Sequence, residues 1–447
     1  MVVFSSLEFL FRFLPVFLIV YYVTPARHRE AVLFLGSIFF YAVGEPRFVL
    51  LLLALTVINY VLGDSLFFRK KKRLLAGVVL LDLAVLALCK ALALTVSASL
   101  LPLGLSFYIF KMVSYQADLY RGEIRNRPTF LKAAAYFTMF PQVTQGPIMR
   151  YSSGKFDEAG PRRCSLVRFE DGLVFLTLGL AMKVLLADRI GILWNEISKI
   201  GYESISTPLA WMGAFGYTFQ LYFDFWGYSL MAAGVGLMLG FPFVLNFDHP
   251  YTANGVADFY RRWHVTLGAW FRDYLYIPLG GSRRGVFRTV VNLLIVWAVT
   301  GLWHGGTVNF LIWGVALGVL IVWEKFVLRG AMRRFPLIGR LHVWLLIPLT
   351  WVVFAIPDLA QLRMYFTRLF PFFGTGVAVN QGDFLKYLAT YWPFFLLSAA
   401  LCHPALYRGI VRGRRNPLVL LLLTALFAVS MYFAANSAGN AFLYFSF

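Results

Sequence analysis

Charge is scarce in this chain. Asp, Glu, Lys and Arg make up 14% of its 447 residues, where a soluble globular chain carries about 25%, and a hydrophobic content of 60% fills the gap. That balance excludes an ordinary water-soluble domain. Short segments that alternate apolar and polar residues are lacking too, which excludes a membrane β-barrel. Cysteine is nearly absent: Cys89, Cys164 and Cys402 lie far apart with no metal-ligand spacing, so neither a disulfide nor a bound metal is expected. There is no Walker-type phosphate loop, no low-complexity tract and no internal repeat. The missing repeat counts against a transporter, whose halves usually carry broken helices in matching positions.

What is present is one apolar run after another, most of them near the roughly 20 residues a helix needs to cross the hydrocarbon core. Candidate spans are 3–23, 31–44, 48–67, 74–94, 98–117, 172–187, 208–223, 228–245, 289–303, 307–327, 341–356, 385–402 and 417–435. Several are short, and 133–150 reads as a segment that dips in and returns, which needs protein or a wet cavity around its backbone. The expectation is a single all-α polytopic membrane domain over 1–447, with about 11 full crossings plus re-entrant and interfacial helices. The first run contains Glu8 and Arg12 and lacks a small-residue cleavage site, so it reads as a first span and not a cleaved signal.

The formal charge of +20, from 41 Lys and Arg against 21 Asp and Glu, fits cytoplasmic loops enriched in basic residues better than a nucleic-acid partner. Arg69-Lys70-Lys71-Lys72-Arg73 is the strongest cytoplasmic marker, with Arg27 and Arg29 two spans earlier and Arg121, Arg125 and Arg127 two spans later. Arg408, Arg412, Arg414 and Arg415 mark another cytoplasmic loop, so the last span would carry the C-terminus outward. Lys90, Lys111 and Lys183 are expected to snorkel at span ends.

A polar island interrupts the pattern over 246–288. In it Asp258, Arg261, Arg262, Arg272 and Asp273 alternate with Phe259, Trp263, Leu267, Trp270 and Tyr274. The apolar set recurs at steps of three and four, which predicts one amphipathic helical face in the interface plane or under the bundle. Pro278 and Gly280-Gly281 end it.

Few residues can carry chemistry. His304 sits in Gly301-Leu302-Trp303-His304-Gly305-Gly306 between two apolar runs. An ionisable group at that depth is costly and marks function by default, although a histidine bonded between helices as glue has the same signature. His264 alone reads as an ordinary interfacial histidine. Together, two imidazoles flanking one cavity would suit proton transfer, since a desolvated ring stays neutral and can act as a base. Asp224 reads as a structural acid paired with an island arginine. Gly280-Gly281-Ser282-Arg283-Arg284-Gly285 can cradle phosphates or be a plain cytoplasmic turn. The C-terminal stretch 442–447 is too aromatic to be left in water. Its Tyr444 would be a buried hydroxyl in need of a partner or a membrane-interface anchor.

Taken in order, these stretches resemble the membrane-bound O-acyltransferase family, specifically the bacterial branch of alginate and peptidoglycan O-acetylases. The matching residues are Met1 to Ser6, Gln145-Gly146-Pro147-Ile148-Met149-Arg150, Phe223-Asp224-Phe225, Arg261-Arg262-Trp263-His264, Trp270 to Gly281 and Gly301-Leu302-Trp303-His304-Gly305. The resemblance implies helices around a central tunnel, His304 as catalytic histidine, His264 in the second catalytic position and Tyr444 as acyl carrier. It also implies acetyl-CoA as the donor substrate with no resident cofactor, an acceptor polysaccharide outside a bacterial inner membrane, and an SGNH-type extracytoplasmic partner. Arg272, Arg283, Arg284 and Trp303 are expected to touch the donor or acceptor, and Asp224 and Asp273 to be structural. One departure stands out. Trp226 and Leu230 occupy positions where many acetylases carry Ser and Asp, and Leu230 also occurs in the branch that moves D-alanine from a charged carrier protein to teichoic acid. D-Alanyl transfer and acyl or lipid-linked sugar transport without chemistry therefore stand as alternatives.

Overall fold

The computed structural model describes residues 4–154, 156, 164–373 and 379–436. Tyr444 and the rest of 442–447 lie outside these, as do Met1, Val2 and Val3 of the first motif. Apart from one isolated β-bridge, the regular structure among the described residues is helical. Among the described residues eight helices are long and apolar enough to cross a bilayer: Pro46–Arg69, Lys72–Thr95, Ala98–Arg121, Gly285–His304, Val308–Arg334, Pro336–Ala355, Phe384–Cys402 and Pro417–Asn436. Each coincides with a run picked out by length and apolarity. The chain is therefore an all-α, multi-pass membrane protein. In Pro417–Asn436 only 11% of the apolar window is buried, against 61% in Ala98–Arg121, so the first turns its side chains toward lipid and the second toward protein.

The described residues cluster into two compact units, the first comprising those of 4–180, Tyr228–Leu245 and 431–436. Part of its core is a phenylalanine cluster, with Phe140 set edge-on at 5.0 Å to Phe17 and 5.1 Å to Phe13. The stretch 133–149 is buried throughout and forms two short helices, Phe130–Thr138 and Phe140–Val143; nine residues rise only about 14 Å, too little to cross. Gly104 is required beside it: its φ is +72°, and a Cβ there would lie 1.9 Å from the Val143 carbonyl oxygen. Lys111 does not snorkel. It is fully buried, with Nζ 4.8 Å from the Tyr136 ring centre.

Among the described residues the second unit comprises Ala181–Gly227 and Asn246–Ser430. One expectation is overturned by a helix whose residues belong to both units. The runs 208–223 and 228–245 are not two spans, because residues Thr207–Met238 form one unbroken helix of 32 residues. That is about 48 Å of helix, well beyond the hydrocarbon thickness. Asp224 and Gly227 imitate a loop, but a lone glycine costs a helix only about 1 kcal/mol, and the charge is compensated within the fold. Its counter-ion is Lys183, not an island arginine. Lys183 Nζ lies 2.7 Å from Asp224 and 2.7 Å from Asp188, and the lysine side chain is 2% exposed, so it too is an internal ion and does not snorkel.

The island is also rebuilt. Its apolar stripe is buried at Phe259, Trp263, Leu267 and Trp270, but the helix breaks between Val256–Arg262 and Val265–Phe271. The second piece runs on to Tyr276 before the glycine turn, where Gly280 and Gly281 have φ of +106° and +55°.

Candidate active site

His304 is the last residue of the helix Gly285–His304 and is half-buried. Small residues put it there. A Cβ on Gly301 would lie 2.3 Å from the Phe310 carbonyl oxygen, and one on Gly314 would lie 2.4 Å from that of Trp297. The helix and its successor, Val308–Trp323, thus pack backbone to backbone, as small residues allow in membranes. The imidazole is boxed edge-on by Trp303 at 4.6 Å, Trp313 at 5.0 Å and Phe354 at 5.3 Å. Phe354 is held in place by Asn309, whose Nδ2 donates to the carbonyls of Val353 at 3.1 Å and Phe354 at 3.2 Å.

His264 occupies the break in the island and is 3% exposed. Its φ of +47° lies in the left-handed region, which costs a residue other than glycine about 1–3 kcal/mol unless its surroundings enforce it. They do. Phe247 and Trp263 form an antiparallel bridge, Asp248 N–H donates to the Arg262 carbonyl at 2.9 Å, and Val265 N–H donates to the Asn246 carbonyl at 2.9 Å. The His264 ring lies edge-on to Phe225 at 4.7 Å, with Nδ1 3.1 Å from Asn246 Oδ1. Burial pushes its pKa down to about 3, because removing water penalises the charged ring. The imidazole is therefore neutral at working pH.

Both histidines line one cavity of about 380 Å³. Its aromatic wall includes Tyr260, Trp263, Trp297 and Trp313, and Arg261, Arg272 and Tyr276 also contribute. A mostly apolar pocket with a few convergent polar groups is the usual form of a small-molecule site. The volume would take a thioester with part of a flexible arm, and two imidazoles lining a mostly apolar pocket can exchange a proton with a hydroxyl.

The remaining expected residues distribute as follows. Arg272 lines the cavity and forms a two-pronged ion pair with Asp273 at 2.7 and 3.1 Å. Trp303 is buried against His304 and Phe271 and is not one of the cavity's lining residues. Arg283 and Arg284 are exposed on the glycine turn, outside the cavity wall. That turn is held by Asn292, whose Nδ2 donates to the Gly281 carbonyl at 2.9 Å, while Ser282 Oγ sits 2.7 Å from Tyr276 Oη and 3.4 Å from Lys325 Nζ. Asp224 belongs to the Lys183 pair.

Asn246 and Glu324 were not singled out from the sequence. Glu324 is 6% exposed and accepts from Val256 N–H at 2.7 Å and Ala257 N–H at 3.0 Å, so a buried carboxylate anchors the start of the first island helix. An acid closing a long apolar run was a readable signal. Asn246 had none, since 18 residues separate it from the ring it touches.

Comparison with known proteins points one way. The model of a family described as membrane-bound O-acyltransferase matches residues 92–357, more than half of the chain. A probable alginate O-acetylase of Pseudomonas fluorescens is 37% identical over 378 residues, covering 83% of this chain and 76% of that protein. A peptidoglycan O-acetyltransferase of Helicobacter pylori is 29% identical over 412 residues, covering 80% and 77%. A teichoic acid D-alanyltransferase of Bacillus subtilis is 25% identical over 236 residues, covering 50% and 59%.

Proposed function

This chain belongs to the membrane-bound O-acyltransferase family, and from that membership we propose that it moves an acetyl group from cytoplasmic acetyl-CoA to a hydroxyl outside the membrane. The final acceptor is a cell-envelope polysaccharide, reached directly or through an SGNH-type partner, and the membrane is a bacterial inner membrane. That the protein is an acyltransferase enzyme follows from its family and relatives. Acetyl as the group and polysaccharide as the acceptor are supported by the O-acetylases, which align over 80–83% of the chain, against 50% for the D-alanyltransferase.

One observation carries the choice of site: His304 and His264 line the same cavity. In the proposed step the acceptor hydroxyl oxygen attacks the thioester carbonyl carbon while an imidazole takes its proton. The tetrahedral oxyanion collapses, the C–S bond breaks, and the leaving thiolate recovers the proton from the imidazolium. Ester and free thiol are the products, with no net proton change. His304, at the end of its helix and only half-buried, is assigned the base. His264 acts beside it, orienting it or assisting at the oxyanion. General base catalysis contributes about 10²–10⁴-fold, with positioning and electrostatic stabilisation supplying the rest. Arg272 is assigned to the donor, and Arg283 and Arg284 to its phosphates through forked guanidinium contacts. Tyr444 is assigned as an intermediate carrier of the acetyl group.

The donor tests the proposal. Membranes containing the full chain are given radiolabelled acetyl-CoA or, separately, a D-alanyl-charged carrier protein. Label from acetyl-CoA in envelope polysaccharide is the expected result. Label only from the carrier protein would replace acetyl transfer with D-alanyl transfer, and label from neither would leave a carrier without chemistry. Tyr444→Phe is expected to abolish external acetylation while leaving acetyl-CoA binding intact; normal product would remove the relay.

A further inference from the structure

A neutral imidazole carries its proton on one nitrogen only, and which one decides what the ring can do. For His264 the neighbours settle it. Asn246 Oδ1 lies 3.1 Å from Nδ1 of the ring. The same oxygen accepts from the Thr266 hydroxyl at 2.9 Å and from the Thr266 backbone N–H at 3.3 Å. A backbone N–H can only donate, so the Asn246 atom facing it is the carbonyl oxygen; with the amide turned round, two donors would meet. An oxygen fixed in that place accepts, so Nδ1 of His264 must donate. The proton sits on Nδ1, and the lone pair sits on Nε2.

The surrounding backbone holds this pair in register. Asn246 and His264 each adjoin a partner of the Phe247–Trp263 bridge, and the bonds on either side, Val265 to Asn246 and Asp248 to Arg262, staple the two stretches together. His264 lines the cavity, whereas Asn246 does not, so the amide works from behind the ring. Besides His264, the cavity wall carries the charged groups Arg261 and Arg272 and the second imidazole, His304.

We infer that Asn246 is a positioning residue that locks His264 in the Nδ1–H tautomer, so that Nε2 of His264 accepts a hydrogen bond, the role of orienting the His304 base and not that of a donor to the oxyanion. The inference rests on the reading that His264 takes part in the transfer, and it decides between the two roles that reading leaves to it. Hydrogen bonds to the developing oxyanion then come from other groups.

The test is spectroscopic and kinetic. The full chain is labelled with ¹⁵N-histidine and reconstituted in lipid; with six histidines in all, His264→Gln identifies the signal that belongs to His264. The expected spectrum has a protonated Nδ1 and a bare Nε2. In Asn246→Leu the ring is expected to move to the Nε2–H form. Turnover of radiolabelled acetyl-CoA into envelope polysaccharide by membranes of that variant should then fall about tenfold, the scale of one lost positioning hydrogen bond, with KM for acetyl-CoA unchanged. A wild-type Nε2–H signal would overturn the inference, as would an Asn246→Leu chain with unaltered tautomer and turnover. If Asn246→Leu does not fold, the wild-type spectrum still decides the tautomer. Should His264→Gln transfer acetyl at the wild-type rate while the spectrum is as expected, the failure lies in the catalytic reading of His264 and not in its tautomer.

Discussion

A histidine with a pKa near 3 leaves a mark on stability that needs no knowledge of substrate. Unfolded, the ring takes up a proton below about 6.5; folded, it does so only near 3. The unfolded state therefore binds more protons between these values, so stability is full above pH 6.5 and is lost as pH falls toward 3, by about 1.4 kcal/mol per unit. Thermal unfolding followed from pH 7 to pH 5 should show a decline that His264→Gln reduces; an identical decline would deny that the ring is buried and neutral. The ion cluster makes a second residue-scale prediction. Lys183→Met leaves Asp188 and Asp224 without their shared cation and should destabilise by about 3–5 kcal/mol. Asp224→Asn leaves lysine and Asp188 matched one to one and should cost clearly less, which a comparison of unfolding temperatures in one detergent will show. Little of this was legible beforehand. His304 and His264 stand out because ionisable groups are rare here, but the strained backbone of His264 depends on a pairing with residues 246–248 that local spacing does not encode. Lys183 looks like any snorkelling lysine until its two carboxylates are brought beside it.

Among the elements, the runs flanked by clear polar stops were readable, and eight of them are helices of spanning length. The long helix Thr207–Met238 was not, because a charge and a glycine at its middle have the same local chemistry as a loop, and only Lys183, 41 positions before Asp224 (224 − 183), reveals that the charge stays inside. The island was half-readable. Its apolar period is real, but periodicity is blind to a left-handed residue that breaks a helix without changing the pattern. The element that delivers His304 depends on two glycines. Gly314→Leu should push the helices Gly285–His304 and Val308–Trp323 apart, since even a Cβ would lie 2.4 Å from a backbone oxygen. Transfer should be lost with the membrane insertion of the chain retained, while Gly330→Ala, where a Cβ meets nothing within 4 Å, should leave activity as it is. Equal activity in both variants would show that close packing there does not set the site.

At the scale of the whole molecule, composition alone separates a helical membrane protein from every soluble class, and the ordered motifs, not any one of them, point to the family. Which face a loop occupies is a matter of charge asymmetry. Docking of acetyl-CoA at the Gly280–Gly285 turn requires that turn to be cytoplasmic. With the three native cysteines replaced, a Ser282→Cys chain should react with a membrane-impermeant maleimide in inverted vesicles and not in intact spheroplasts. The reverse pattern would remove Arg283 and Arg284 from the donor site.

The central claim is that His304 and the cavity it shares with His264 perform the transfer. Full-length chain carrying His304→Ala, shown by its unfolding temperature and its amount in the membrane to be folded, is assayed for passage of radiolabel from acetyl-CoA to envelope polysaccharide. A fall of at least about 10²-fold is expected, the lower bound for losing a general base. Transfer at the wild-type rate would contradict the claim outright.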